Sequence, residues 1–134
     1  VAALKVNPGV VTNVVYHITT GGGTLTSGQC FVGLYQGGAL LAASADQSTA
    51  WTSTGLTTTA LSAPVTVNQG IVYAAFVFNG TTGPTLSQAA AVDMNAGFAA
   101  ASSRYGTANT SRTSLPATLG TISALTKSPW VALS

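Results

Sequence analysis

The segment Ile71–Phe78, IVYAAFVF, limits the fold more than any other feature of this chain. With a period of two, Ile71, Tyr73, Ala75 and Val77 share one face, and Val72, Ala74, Phe76 and Phe78 share the other. Both faces are apolar, so both must be covered. A second layer plus a loop, or a neighbouring subunit, would meet that demand.

The remaining sequence supplies strands for such layers. Residues 10–18, VVTNVVYHI, alternate: Val10, Thr12, Val14, Tyr16 and Ile18 fall on one side, and Val11, Asn13, Val15 and His17 on the other. Asn7-Pro8-Gly9 before them signals a turn. CFVGLYQ (30–36) reads as a strand, and Gly37-Gly38 suits a tight hairpin into ALLAAS (39–44). LTTTAL (56–61) reads as a short strand. In APVTVN (63–68) the proline marks a strand start or a sheet edge. SPWVALS (128–134) closes the chain as a last strand.

Two glycine- and threonine-rich runs interrupt the strands. TTGGGTLTSGQ (19–29) reads as a flexible connection, and NGTTGPTLSQ (79–88) repeats its Thr-Leu pair. They suggest two similar loops at one end of the fold. Residues 89–101 are open between strand and helix, and residues 102–121 form a long polar region. Frequent turns between short strands predict an all-β fold, an antiparallel β-sandwich of seven to eight strands in the jelly-roll manner. The length fits one domain, 1–134, and the start at Val1 suggests a fragment or one domain of a larger chain.

Composition bears chiefly on chemistry. Lys5, Lys127, Arg104, Arg112, Asp46 and Asp93 are the whole charged complement, 4% of the chain, and Glu is absent. Ordinary soluble domains are about 25% charged. Four scattered cations make no phosphate-binding stripe, which argues against nucleic acid. No apolar run approaches the roughly 18 residues of a membrane span. One His, one Cys and two Asp leave few ways to build an acid–base enzyme or a metal site, so no cofactor and no enzymatic activity are expected.

His17 stands mid-strand and suits a surface or an interface. Asp46, in SADQSTAW, suits a turn cap made by its own carboxylate, and Asp93 the same. Cys30, in an apolar run, reads as a buried small hydrophobe. The binding candidates are Trp51, Arg104, Tyr105 and Arg112. Trp51 lies among Ser48, Thr49, Thr52 and Ser53, a setting for an exposed sugar platform or for a ring folded back over the core. Arg104 and Arg112 bracket Tyr105 in a stretch suited to a carboxylate, a partner surface, open solvent or a reach across to a neighbouring chain. Trp130 reads as a core or interface anchor.

The stretch from Thr24 to Gly80 also resembles a domain of fibre, minor tail and related surface proteins of tailed bacteriophages. The likeness rests on Gly33-Leu34-Tyr35 with its small-residue hairpin, Asp46 to Trp51, Pro64-Val65-Thr66, Gly70 to Tyr73, and the closing PWVALS. It implies a non-enzymatic jelly-roll-like sandwich on a virion surface, in homo-oligomers with trimers favoured, beside other virion proteins. It further implies attachment to a host polysaccharide or protein, or plain decoration of the particle. A looser similarity is to secreted bacterial β-sandwiches appended to cell-surface or carbohydrate-active proteins, with an extracellular location and a glycan as ligand. Neither likeness assigns a binding residue, and this chain departs from the phage pattern in having so few charges in its C-terminal region.

Overall fold

The computed structural model describes residues 1–90, 105–125 and 127–134. Over these residues the chain is all-β, built from several antiparallel sheets. The strands are β1 (Ala2–Val6), β2 (Gly9–Thr20), β3 (Gly23–Leu25), β4 (Phe31–Gln36), β5 (Ala39–Ala43), β6 (Gly55–Val67), β7 (Gly70–Val77), β8 (Gly80–Thr82), β9 (Thr85–Leu86), β10 (Gln88–Ala90), β11 (Gly106–Thr107), β12 (Ser123–Ala124), β13 (Lys127–Pro129) and β14 (Val131–Leu133). One 3₁₀ turn, Ala50–Thr52, precedes β6.

One four-stranded sheet has the order β1-β7-β4-β5. The other has the order β14-β2-β6, with β9 also pairing β2. β14 pairs Val14–Tyr16 and β9 pairs Ile18–Thr20, so the two short strands follow one another along β2. Residues from both sheets meet in one core: Val14, Tyr16 and Ile18 of β2, Val32 and Leu34 of β4, Leu61 of β6, and Val72 and Ala74 of β7. Burying side chains of this size contributes about 1.5–3 kcal/mol each.

Gly37 and Gly38 both have positive φ, 58° and 85°, and Gln36 pairs Ala39 across them. This is the two-residue hairpin that the glycine pair predicts. Cys30 is buried, as its apolar setting predicts.

The simple alternation of β2 fails at its start. Thr12 and Asn13 both donate their backbone N–H to the Ser134 carbonyl, at 2.7 and 2.8 Å, and the β2–β6 register shifts between Val11 and Asn13. One extra residue is thereby inserted and the side-chain phase reverses. Val11 is buried and Val10 is 63% exposed, the opposite of what strict period two gives for Val10. On the partner strand, residues 61–64 leave β2: Ala60 pairs Asn13, and the next pair is Val65 with Val11. Pro64 sits in that gap, where no ladder donor is needed. The two short strands expected here are therefore one long strand with a corner, and Leu61 bridges to Ser44 beyond β5.

The glycine-rich run 19–29 is not simply a connection. Its β3 pairs with β8, Gly23 opposite Thr82 and Leu25 opposite Gly80, so the two similar loops do come together. A Cβ on Gly21 would lie 2.1 Å from the Thr52 carbonyl oxygen, and Gly22 donates its N–H to the Trp51 carbonyl at 2.8 Å. Glycine is needed there for close backbone approach.

Of residues 89–101, Ala89 and Ala90 belong to β10; the remainder lies outside the described residues.

Candidate functional site

The outward face of β7 and β4 is covered in part by the chain itself. Leu40 donates its N–H to the Ala117 carbonyl and Leu119 donates to Gly38, so residues 117–119 run along β5. The Tyr35 hydroxyl donates to the Pro116 carbonyl at 2.7 Å. Gly33 lies under Leu115, whose Cδ1 would be 2.5 Å from any Cβ added there. At the other edge Gly106 donates to the Val1 carbonyl, and Tyr105 bridges Ala2. The described part of the polar region 102–121 is thus a cover over Tyr35 and Ala75, both buried. A loop of the same chain thus meets part of the demand raised by IVYAAFVF, while Ile71, Tyr73 and Val77 remain half-buried.

Under this cover lies a cavity of about 400 Å³. Val77, Phe78, Leu86, Tyr105, Leu115 and Leu125 give it an apolar wall. Gln88, Asn109 and Lys127 bring polar groups to it. That is the size and character of a small-molecule pocket. Among the described lining residues there is no Asp, His or Cys. The side of the cavity near Phe78 is set by Gly83, where a Cβ would fall 2.0 Å from the Phe78 ring.

Of the three binding candidates among the described residues, Tyr105 alone lines this cavity. Arg112 is exposed and meets Asn79 through its backbone, the Asn79 Nδ2 donating to its carbonyl at 2.6 Å. Arg104 lies outside the described residues, as does Asp93. Trp51 is wholly buried and offers no exposed platform. Its Nε1–H donates to the Tyr16 hydroxyl at 2.7 Å, Tyr16 and Thr59 share a 2.6 Å hydrogen bond, and Thr59 Oγ1 donates to Gln47 Oε1 at 3.2 Å. Rings surround this chain of bonds: Tyr16 meets Phe76 edge-on at 5.1 Å, and Trp51 meets Phe78 edge-on at 6.4 Å. Burial pushes the Tyr16 phenol above its ordinary range, with the hydrogen bonds to Thr59 and Trp51 opposing. Apolar packing and a fully used indole N–H account for the missing platform.

Asp46 does cap its turn. Its carboxylate accepts from Ser48 Oγ and from the Cys30 N–H. Burial acts to raise its pKa, but hydrogen bonds from Ser48 and from the backbone of Gly28, Cys30 and Ser48 outweigh it and hold the carboxyl below the usual range. His17 stands opposite Leu56 in the β2–β6 ladder, on the side of β2 away from the buried Tyr16. The structure does not bring it to the Asp46 carboxylate. Among the described residues no three His, Cys or Asp groups gather as metal ligands. Among them, too, no helix is long and apolar enough to cross a membrane. Trp130 is 49% exposed, which suits an interface anchor better than a core one.

Sequence reasoning missed Tyr35, Leu115, Gln88, Asn109 and Lys127 as cavity residues. The available signal was the outward face of β7, which needed a cover from somewhere in the chain. No family model, no curated protein and no solved structure matches this chain.

Proposed function

We propose that this chain is a non-enzymatic structural domain of a tailed-bacteriophage virion, a tail-fibre, minor-tail or capsid-decoration component that helps contact the host surface. The observation that carries the proposal is a surface nearly free of charge around a hydrogen-bonded β core. Lys5, Arg112 and Lys127 are exposed on it, while Asp46 is tied into its own loop. Such a surface gives copies little electrostatic reason to stay apart. It suits a body held among neighbours, acting through assembly and several weak contacts at once.

The finer fold belongs to the same proposal. β2 with β6 in one layer and β4 with β7 in the other, joined by connections that pass between layers, support a sandwich. The finer parts of the same proposal are a jelly-roll wiring of seven to eight strands and a homo-oligomeric assembly; the chain itself covers part of the outer face of β7. Light scattering tests the assembly reading: self-association is expected, and a strict monomer at high concentration would count heavily against it. Turnover of a hydrolysable substrate, abolished by His17→Ala, would overturn the non-enzymatic assignment.

A second reading, a carbohydrate-binding module of a secreted bacterial protein, retains one observation in its favour: Tyr105 beside the cavity with Gln88 and Asn109. It expects a glycan-array signal lost in Tyr105→Ala. No signal across the array removes it.

A further inference from the structure

The edges of the two sheets are treated unequally by the chain. The outer edge of β1 is bonded by Tyr105 and Gly106, and that of β5 by residues 117–119. The β14-β2-β6 sheet ends on one side at β14 and β9, strands of only three and two residues, and on the other at β6. β6 differs. Among the described residues it pairs with β2 along one edge, and on the other it meets the chain at the single Ser44–Leu61 bridge. From Gly55 to Ala60 no strand among the described residues lies beside the outward backbone groups.

Unpaired edges are normally defended by charge, proline, bulges or shortness. β6 is 13 residues long, and no residue from Gly55 to Gln69 is charged. Its one proline, Pro64, lies beyond the Gly55–Ala60 part. Leu56 on this part is 67% exposed, and Thr58 and Ala60 are exposed as well. A bare row of N–H and C=O groups is satisfied by another strand, and an uncharged edge accepts its own copy without repulsion.

We propose that the Gly55–Ala60 edge of β6 pairs antiparallel with the same edge of a second copy of this chain, joining two β14-β2-β6 sheets across a two-fold axis. An antiparallel pair of identical edges is self-complementary, the condition for a closed two-fold contact. This rests on the assembly reading above and names the surface used.

The test is the solution mass and amide exchange of the full chain, compared with Thr58→Lys and, separately, Leu56→Lys. Both positions are exposed, and the far-ultraviolet spectrum checks that each variant is folded. The native chain is expected at twice its 13.3 kDa mass, with β6 amides protected more at high than at low concentration. Either lysine sets like charges against one another across the axis and is expected to weaken association about tenfold or more. A trimer whose mass ignores both lysines overturns the edge pairing and leaves the assembly reading standing. A monomer at every concentration overturns both.

Discussion

Tyr16→Phe is the sharpest probe of the buried hydrogen bonds that tie Trp51 to the β2–β6 sheet. The substitution removes one oxygen and leaves the ring, so packing against Phe76 at 5.1 Å is retained. Two hydrogen bonds go with it: the 2.7 Å bond from Trp51 Nε1–H and the 2.6 Å bond shared with Thr59. Thr59 keeps an acceptor in Gln47 Oε1. Trp51, fully buried, loses its own and is left with an orphaned donor. An orphaned buried donor costs about 1–3 kcal/mol and a lost satisfied bond about 1, so the variant should lose about 2–4 kcal/mol. That is a large share of a stability of about 5–15 kcal/mol. Urea unfolding in a Trp130→Phe background reads the Trp51 fluorescence alone. Thr59→Val, made alone and together with Tyr16→Phe, completes a double-mutant cycle in which the second substitution should cost less than the first. A loss below about 0.5 kcal/mol, or a cycle with no coupling, refutes the reasoning.

Other substitutions test other parts of the fold. Gly21→Ala sets a methyl 2.1 Å from the Thr52 carbonyl oxygen and should lower the urea midpoint by the equivalent of about 2 kcal/mol or more. Burial pushes the Tyr35 phenol from 10.0 up to about 12. A raised pKa favours the folded state fully below pH 10 and loses that support as pH climbs to about 12. Tyr35→Phe should therefore shrink the alkaline loss of stability in a pH series of melts, and cost about 1 kcal/mol at neutral pH for the Pro116 bond. Asp46 has the opposite sign: its stabilisation is present above the ordinary value of 3.8 and disappears as pH falls through the lower folded pKa. Asp46→Asn should flatten the acid limb of the same series.

Much of the strand layout was legible because it rests on local chemistry. Gly37-Gly38 specifies its hairpin alone, Cys30 sits in an apolar run, and the two faces of residues 71–78 demand two covers. What was illegible depends on distant partners. The phase of β2 turns on a carbonyl at position 134, and no pattern within residues 10–18 contains it. Trp51 sits among serines and threonines like a surface ring, yet its indole is held by Tyr16, 35 positions earlier. The cavity was hidden for the same reason: Tyr35 and Pro116 meet across 81 positions. Composition gave no hint that a polar tail would lie over an apolar sheet.

The bond from Thr12 to Ser134 also has a meaning in time. Its partners are 122 positions apart, so the bulge cannot be fixed before Ser134 has been made. Until then β2 can slide by one residue against β6, and a one-residue slip exchanges the inner and outer sides of Val10 and Val11. The closing strand acts as a latch: which side of the first long strand faces inward is decided by a carbonyl 122 positions further along the chain.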